Sequence, residues 1–192
     1  MNKKILIVAG GTGGHFFPAQ ALFEALKKHQ YIVRMVTDQR CKNYITDVKN
    51  TNIIDVKRLS GSLKGIILGF LSLPITILQS LILFMKFKPN LIISFGGYTS
   101  LPHLFTAFLT RTKLILHEQN TICGKANLLF APIADIIAIS YRDTQKLTSY
   151  NQKLLYTGNF VRHFINRKKL TQHDRAFTIL IIGGSMGAKY FA

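Results

Sequence analysis

The sequence predicts an α/β domain built on a doubly wound, Rossmann-like parallel sheet, and three observations carry that prediction. Apolar runs of strand length alternate with helix-like stretches from residue 4 to residue 157. A glycine turn, Gly10-Gly11-Thr12-Gly13-Gly14, stands directly between the first such run and the first helical stretch. The same plan returns late in the chain, where Ile179-Leu180-Ile181-Ile182 leads into Gly183-Gly184-Ser185-Met186-Gly187-Ala188. Continuous apolar strands separated by helices are what a parallel sheet covered on both faces requires.

Taken in order, strands are expected at 4–9, 32–37, 52–56, 90–95, 113–117, 135–140 and 153–157. Helices are expected at 18–28, 66–85, 100–110 and 126–133. Pro18 suits a first helical turn, where its missing N–H has no helical partner. Residues 162–175 are polar, with Asn166-Arg167-Lys168-Lys169 and Gln172-His173-Asp174-Arg175, and read as a helix or linker leaving the domain. The expected organisation is one domain over 1–162, a linker over 163–176, and the start of a second doubly wound domain over 177–192. That second unit is expected to stop inside its first helix, and one strand with its turn cannot bury a core alone.

Composition narrows the class. An apolar share of 48% with 17% charged residues describes a folded chain. Lys and Arg total 25 against 8 Asp and Glu, a formal charge of +17, which favours an anionic partner. No carboxylate lies between Asp55 and Glu118, while Lys57, Arg58, Lys64, Lys86, Lys88, Arg111 and Lys113 all fall there. No stacking motif or basic stripe accompanies the charge, so no nucleic-acid partner is expected. Cys41 and Cys123 form no CxxC, which argues against a disulfide framework or zinc site and fits a reducing compartment. The apolar run at Ile5 is too short for a signal peptide and meets Gly10 at once, so a cytoplasmic location is expected.

From Gly65 to Met85 no residue is charged, a length that could span a bilayer. Pro74 interrupts the run, and Gly69, Ser72, Thr76 and Gln79 recur as a weakly polar stripe. That pattern predicts an amphipathic helix packed on the domain. Its basic flanks would bring part of its surface to an anionic membrane. A transmembrane span is the alternative.

Three motifs carry chemistry. Glycines after the first strand bring backbone N–H groups to a ligand, and the helix start favours an anion, most often phosphate. The loop is not a P-loop, because no Gly-Lys-Ser/Thr follows. It also misses the dinucleotide pattern, since Phe16 holds the third glycine position; Asp38, where a ribose-binding acid would sit, keeps a nicotinamide reading open only through itself. Phe95-Gly96-Gly97-Tyr98-Thr99-Ser100 is a second glycine turn on the same carboxyl edge of the sheet. His117-Glu118-Gln119-Asn120 then ends another apolar strand, where polar residues either face a cleft or form a buried hydrogen-bonded network.

In order and spacing these motifs resemble those of the MurG family of bacterial peptidoglycan glycosyltransferases. Thr157-Gly158-Asn159-Phe160-Val161-Arg162 and Gly183-Gly184-Ser185-Met186-Gly187-Ala188 extend the resemblance across essentially all 192 residues. The resemblance implies the N-terminal half of a GT-B glycosyltransferase, with two doubly wound domains facing across a cleft. It implies inverting transfer of N-acetylglucosamine from UDP-N-acetylglucosamine to undecaprenyl-pyrophosphoryl-N-acetylmuramyl-pentapeptide, at the cytoplasmic face of the inner membrane and without a cofactor or metal. By position, Thr12, Gly13 and Gly14 would hold phosphate or sugar, and Tyr98 would border the acceptor pocket. Asn120, Arg162 and Ser185 would contact the nucleotide-sugar. His15 is the candidate general base, with Glu118 as alternative base or orienting group.

Departures from the family pattern are Phe160 for an expected proline, Met186 for glutamine, and Ile122-Cys123 in a loop that normally carries proline. With only the start of a donor-binding domain in the sequence, positioning worth about 7–11 kcal/mol would be missing. Little or no transfer is therefore expected from the chain alone. It would act either with a separate chain carrying the donor domain or as a non-catalytic acceptor-binding module.

Overall fold

The computed structural model describes residues 3–56 and 63–161, with the side chains of 63–71 excepted. The apolar runs become seven strands: β1 (Lys4–Val8), β2 (Ile32–Thr37), β3 (Thr51–Ile53), β4 (Leu91–Ser94), β5 (Lys113–Glu118), β6 (Ile136–Ile139) and β7 (Leu154–Tyr156). Four α-helices lie among them: α1 (Gly13–Lys28), α2 (Leu63–Phe87), α3 (Ser100–Thr110) and α4 (Lys125–Phe130). All strand pairs are parallel, in the order β3-β2-β1-β4-β5-β6-β7. The expected doubly wound sheet is the observed one. Its order reverses between β1 and β4, and ligands of open α/β sheets bind at such a switch point.

The period of two along each strand divides the core. Leu6 and Val8 face one side with Leu104, Phe84 and Phe87, while Ile5 and Ile7 face the other with Phe16, Ala19 and Phe23. Both sides are dry, which is why the strands read as unbroken apolar runs.

Several boundaries differ from expectation, three of them for a local reason. Helix α1 starts at Gly13, because Thr12 is extended (φ −138°, ψ 161°) and its carbonyl accepts from the His15 and Phe16 amides. Pro18 therefore lies in the second turn, inside the helix. It deprives only the Gly14 carbonyl of a partner, and Gly14 is exposed to water. Strand β3 ends at Ile53, opposite Thr37, where its neighbour β2 also ends. Helix α4 gives way to a 3-10 turn at Ala131–Ile133, since Pro132 has no N–H to continue it. A 3-10 turn at Gln39–Tyr44 was not foreseen; the Asp38 side chain caps it by accepting from the Arg40 amide.

The stripe on α2 is oriented opposite to a surface helix of ordinary kind. Thr76 and Ser80 are buried, whereas Ile75, Leu78, Ile82 and Met85 are exposed. Ser80 Oγ sits 2.8 Å from Nδ1 of fully buried His103 on α3, and Thr76 Oγ1 donates to the Ser72 carbonyl at 3.1 Å. Small polar residues at Thr76 and Ser80 let α2 approach α3 closely, while Leu83, Phe84 and Phe87 reach the core and the four apolar residues above stay outside. Gln79, expected in the polar stripe beside Thr76, is exposed among them. Helix α3 continues the surface with Phe105, Phe108 and Leu109. Among the described residues no helix is long and apolar enough to cross a membrane.

Candidate functional site

The site is a cleft of about 430 Å³ at the switch point, floored by the turns that follow β1 and β4. Glycines are required there by contact. A Cβ on Gly10 would stand 2.2 Å from Thr99 Oγ1, and one on Gly97 (φ +83°) would stand 2.5 Å from the Gly10 carbonyl oxygen. The two turns thus pack backbone against backbone, which brings His15, Thr12 and Tyr98 into one cavity.

His15 is oriented from behind. Its Nδ1 lies 2.7 Å from the Phe95 carbonyl, which can only accept, so Nδ1 carries the proton. Gln119 Nε2 is placed 2.5 Å from the same nitrogen, so a protonated Nδ1 requires that amide to be turned with its oxygen toward the ring. The unprotonated Nε2 is then the lone pair this imidazole offers to the cleft.

Glu118 also lines the cleft, at the end of β5, but its carboxylate is fully engaged. Oε1 accepts from the Asn120 amide at 3.0 Å and its side chain at 2.8 Å. Oε2 accepts from the Gly124 amide at 2.9 Å and Asn127 Nδ2 at 3.0 Å. Four N–H donors and complete burial make it the anchor of the 120–127 loop. Both readings of the strand end therefore hold together: a hydrogen-bonded network that is also a cleft wall.

Asp38, at the end of β2, is 1% exposed and binds no ribose-like opening. Its Oδ2 accepts from the Gly11 amide (2.8 Å), Thr99 Oγ1 (2.7 Å) and Arg40 Nη2 (2.6 Å). Burial alone would raise this carboxyl, yet hydrogen bonds from Arg40 and Thr99 outweigh it and hold it below its ordinary range. The nicotinamide reading loses its acidic residue to this structural role.

His117 sits under the cleft, its ring 4.7 Å from Phe95 and 5.0 Å from Phe160. Its Nε2 faces the Gly158 carbonyl at 3.3 Å, and the Gln119 side chain also acts on the ring. Burial pushes this imidazole down despite that bond.

Of the residues expected at the site, Thr12, His15, Tyr98 and Glu118 line the cleft. Gly13 and Gly14 do not. They form the first turn of α1, where Gly13 packs on the Phe17 ring and Gly14 is exposed. Asn120 is exposed at the rim and tied to Glu118. Arg162, Ser185 and the units expected over 163–176 and 177–192 lie outside the described residues. Arg40, Lys125 and Asn127 line the cleft without having been expected. The signal for Arg40 was its place just past a strand on the carboxyl edge, beside Asp38. Among the described residues, no three His, Cys, Asp or Glu side chains come together to hold a metal ion.

Residues 5–139 match the model of the glycosyltransferase family 28 N-terminal domain. The chain belongs to glycosyltransferase family 28. Within this family setting it is similar to two proteins named as UDP-N-acetylglucosamine–N-acetylmuramyl-(pentapeptide) pyrophosphoryl-undecaprenol N-acetylglucosamine transferases. That of Rickettsia canadensis (strain McKiel) is 44% identical over 199 residues, covering 99% of this chain and 54% of the relative. That of Rickettsia bellii (strain RML369-C) is 41% identical over 198 residues, with the same coverage of 99% and 54%. The family 28 chain thus spans about half the length of the curated relatives it matches. Its fold is similar to the crystal structure of Acinetobacter baumannii MurG (TM-score 0.74, 23% identity, 98% of this chain and 55% of that one). It is also similar to a UDP-GlcNAc 2-epimerase from Neisseria meningitidis bound to UDP-GlcNAc (TM-score 0.59, 18% identity, 81% and 46%). At those identities the likeness speaks for the fold.

Proposed function

We propose that this chain forms the acceptor side of an inverting UDP-N-acetylglucosamine transferase acting on undecaprenyl-pyrophosphoryl-N-acetylmuramyl-pentapeptide. The observation that carries the reading is the His15 imidazole, held by the Phe95 carbonyl at 2.7 Å between two glycine turns. Nε2 takes the proton from the acceptor's 4-hydroxyl as that oxygen attacks the anomeric carbon of the donor. The new C–O bond forms as the sugar–phosphate bond breaks, and UDP leaves with the electron pair. Glu118 acts as orienting group, since its four hydrogen bonds fix the loop at Asn120 and Gly124 and hold Asn127 of α4. Gly13 and Gly14 supply the N–H groups of a helix start, which have no intrahelical acceptor and favour an anion. Arg162 and Ser185 are proposed for the nucleotide-sugar.

The membrane surface enters by α2 and α3. Exposed Ile75, Leu78, Ile82 and Met85, with Phe105, Phe108 and Leu109, are apolar. Lys86, Lys88 and Arg111 are exposed in the same two helices' last turns and exits, suited to anionic headgroups. Peripheral attachment at the cytoplasmic face of the inner membrane follows from that reading.

Transfer from labelled UDP-N-acetylglucosamine tests the proposal, with the chain alone and mixed with a separate chain carrying a donor domain. Little or no transfer is expected alone, transfer with the donor chain, and at least about a hundredfold loss on His15→Gln. Undiminished transfer by His15→Gln would remove the base. Acceptor binding without transfer under any pairing would favour the acceptor-binding module, because the chain spans only about half its relatives' length.

A further inference from the structure

We propose that Arg40 is a diphosphate-binding residue of the cleft, with buried Asp38 as its positioning residue; this rests on the acceptor-side reading. The guanidinium is held along one edge. Nε and Nη2 donate to Asp38 at 3.2 and 2.6 Å, and the Arg40 amide donates to the same carboxylate at 3.0 Å. Nη1 meets no acceptor among the described residues. The arm is 52% exposed although the carboxylate holding it is 1% exposed. It lies against the glycine turn itself: Nη2 is 3.3 Å and Nη1 3.7 Å from where a Cβ on Gly11 (φ +93°) would stand. A larger residue at 11 would displace it.

The electrostatics of the cleft agree. Its charged lining residues are Arg40, Glu118 and Lys125, and Glu118 is saturated by N–H donors. Asp38 pairs one edge of Arg40, and Lys125 has no ion pair among the described residues. A guanidinium fixed on one edge presents its remaining donors in a set direction, which suits a phosphate fork. Its rotamer freedom is already lost before a ligand arrives. The same Asp38 oxygen binds Gly11 and Thr99, so the arm and both glycine turns share one anchor.

A diphosphate ester could belong to the lipid acceptor or to UDP, and calorimetric titration of the full chain with geranyl diphosphate and with UDP separates them. Arg40→Ala is expected to weaken geranyl diphosphate at least about tenfold, the loss of one charged hydrogen bond, and to leave UDP unchanged. Arg40→Lys keeps the charge without the fork and is expected to recover only part of the loss. Asp38→Asn should weaken binding similarly, and adding Arg40→Ala to it should cost little more, because both changes remove one arrangement. Circular dichroism of each variant reads folding separately. Geranyl diphosphate bound equally by wild type and by both folded Arg40 variants overturns the arm and leaves the cleft reading standing. No binding by the wild type at millimolar probe overturns both. A loss confined to UDP places the arm on the donor and overturns the proposal as well.

Discussion

The carbonyl oxygen of Gly10 lies 2.5 Å from the point a Cβ on Gly97 would occupy. Gly97 also has φ +83°, so a side chain there meets both a steric and a conformational barrier. Gly97→Ala is expected to destabilise the fold by at least about 2 kcal/mol in urea denaturation. Gly14→Ala serves as the contrast, since its Cβ would meet only Thr12 Oγ1 at 3.7 Å. It should change stability by less than about 0.5 kcal/mol. Equal effects of the two changes would mean that the turns do not depend on their close approach.

Helix α2 gives a surface prediction. Ile75 and Leu78 are 61% and 56% exposed, so replacing both with Asp removes no core contact. Co-sedimentation with vesicles containing anionic lipid should fall sharply, while the unfolding free energy stays within about 1.5 kcal/mol of wild type. Undiminished sedimentation of the folded double variant would remove α2 from the proposed membrane surface.

Buried His103 makes stability depend on acid. Burial holds its imidazole down at about 3, against an ordinary value near 6.5. Above pH 6.5 both folded and unfolded chains are neutral at this residue, and nothing is lost. Below it the unfolded chain takes up the proton first, so stability falls until the folded form can also be protonated, at about 3. One such group lowers the unfolding free energy by up to about 1.4 kcal/mol per pH unit. His117, also lowered by burial, acts in the same direction. Denaturation curves for wild type and His103→Gln should therefore converge as pH drops from 7 to 4; parallel curves would show that His103 is accessible to protons in the fold.

The two thiols should be inert. Burial first, and then the Glu118 carboxylate, push Cys123 up to about 12, and burial raises Cys41. Neither is expected to react with Ellman's reagent at pH 8 until urea unfolds the chain. Rapid reaction of either in the native state would contradict the packing around Glu118 or Gly11.

Much of this was legible before any coordinates. Unbroken apolar runs such as Leu91–Ser94 announce a strand buried on both faces, and all seven strands and four helices fell at expected places. His15 and Glu118 were expected to share a pocket, and both line the cleft. What escaped depends on contacts between distant segments. Asp38 and Thr99 are 61 residues apart, and nothing local says that one carboxylate would anchor both glycine turns. Gly13 and Gly14 look like loop glycines by spacing, yet the extended Thr12 starts the helix at Gly13 and makes them its first turn. On α2 the expected polar stripe holds at Thr76 but not at exposed Gln79, and buried Ser80 lay outside it, because the packing partner α3 determines which side faces inward.

Phe160 occupies a place where a proline was expected, and its ring rests 5.0 Å from that of His117, which rests 4.7 Å from Phe95. The Phe95 carbonyl in turn holds His15. Two tilted ring contacts and one polar link therefore run from the chain just past β7 to Nδ1 of His15, across the ring from the Nε2 proposed as base. A residue smaller than Phe at 160 would leave that side of the His117 ring without its aromatic neighbour.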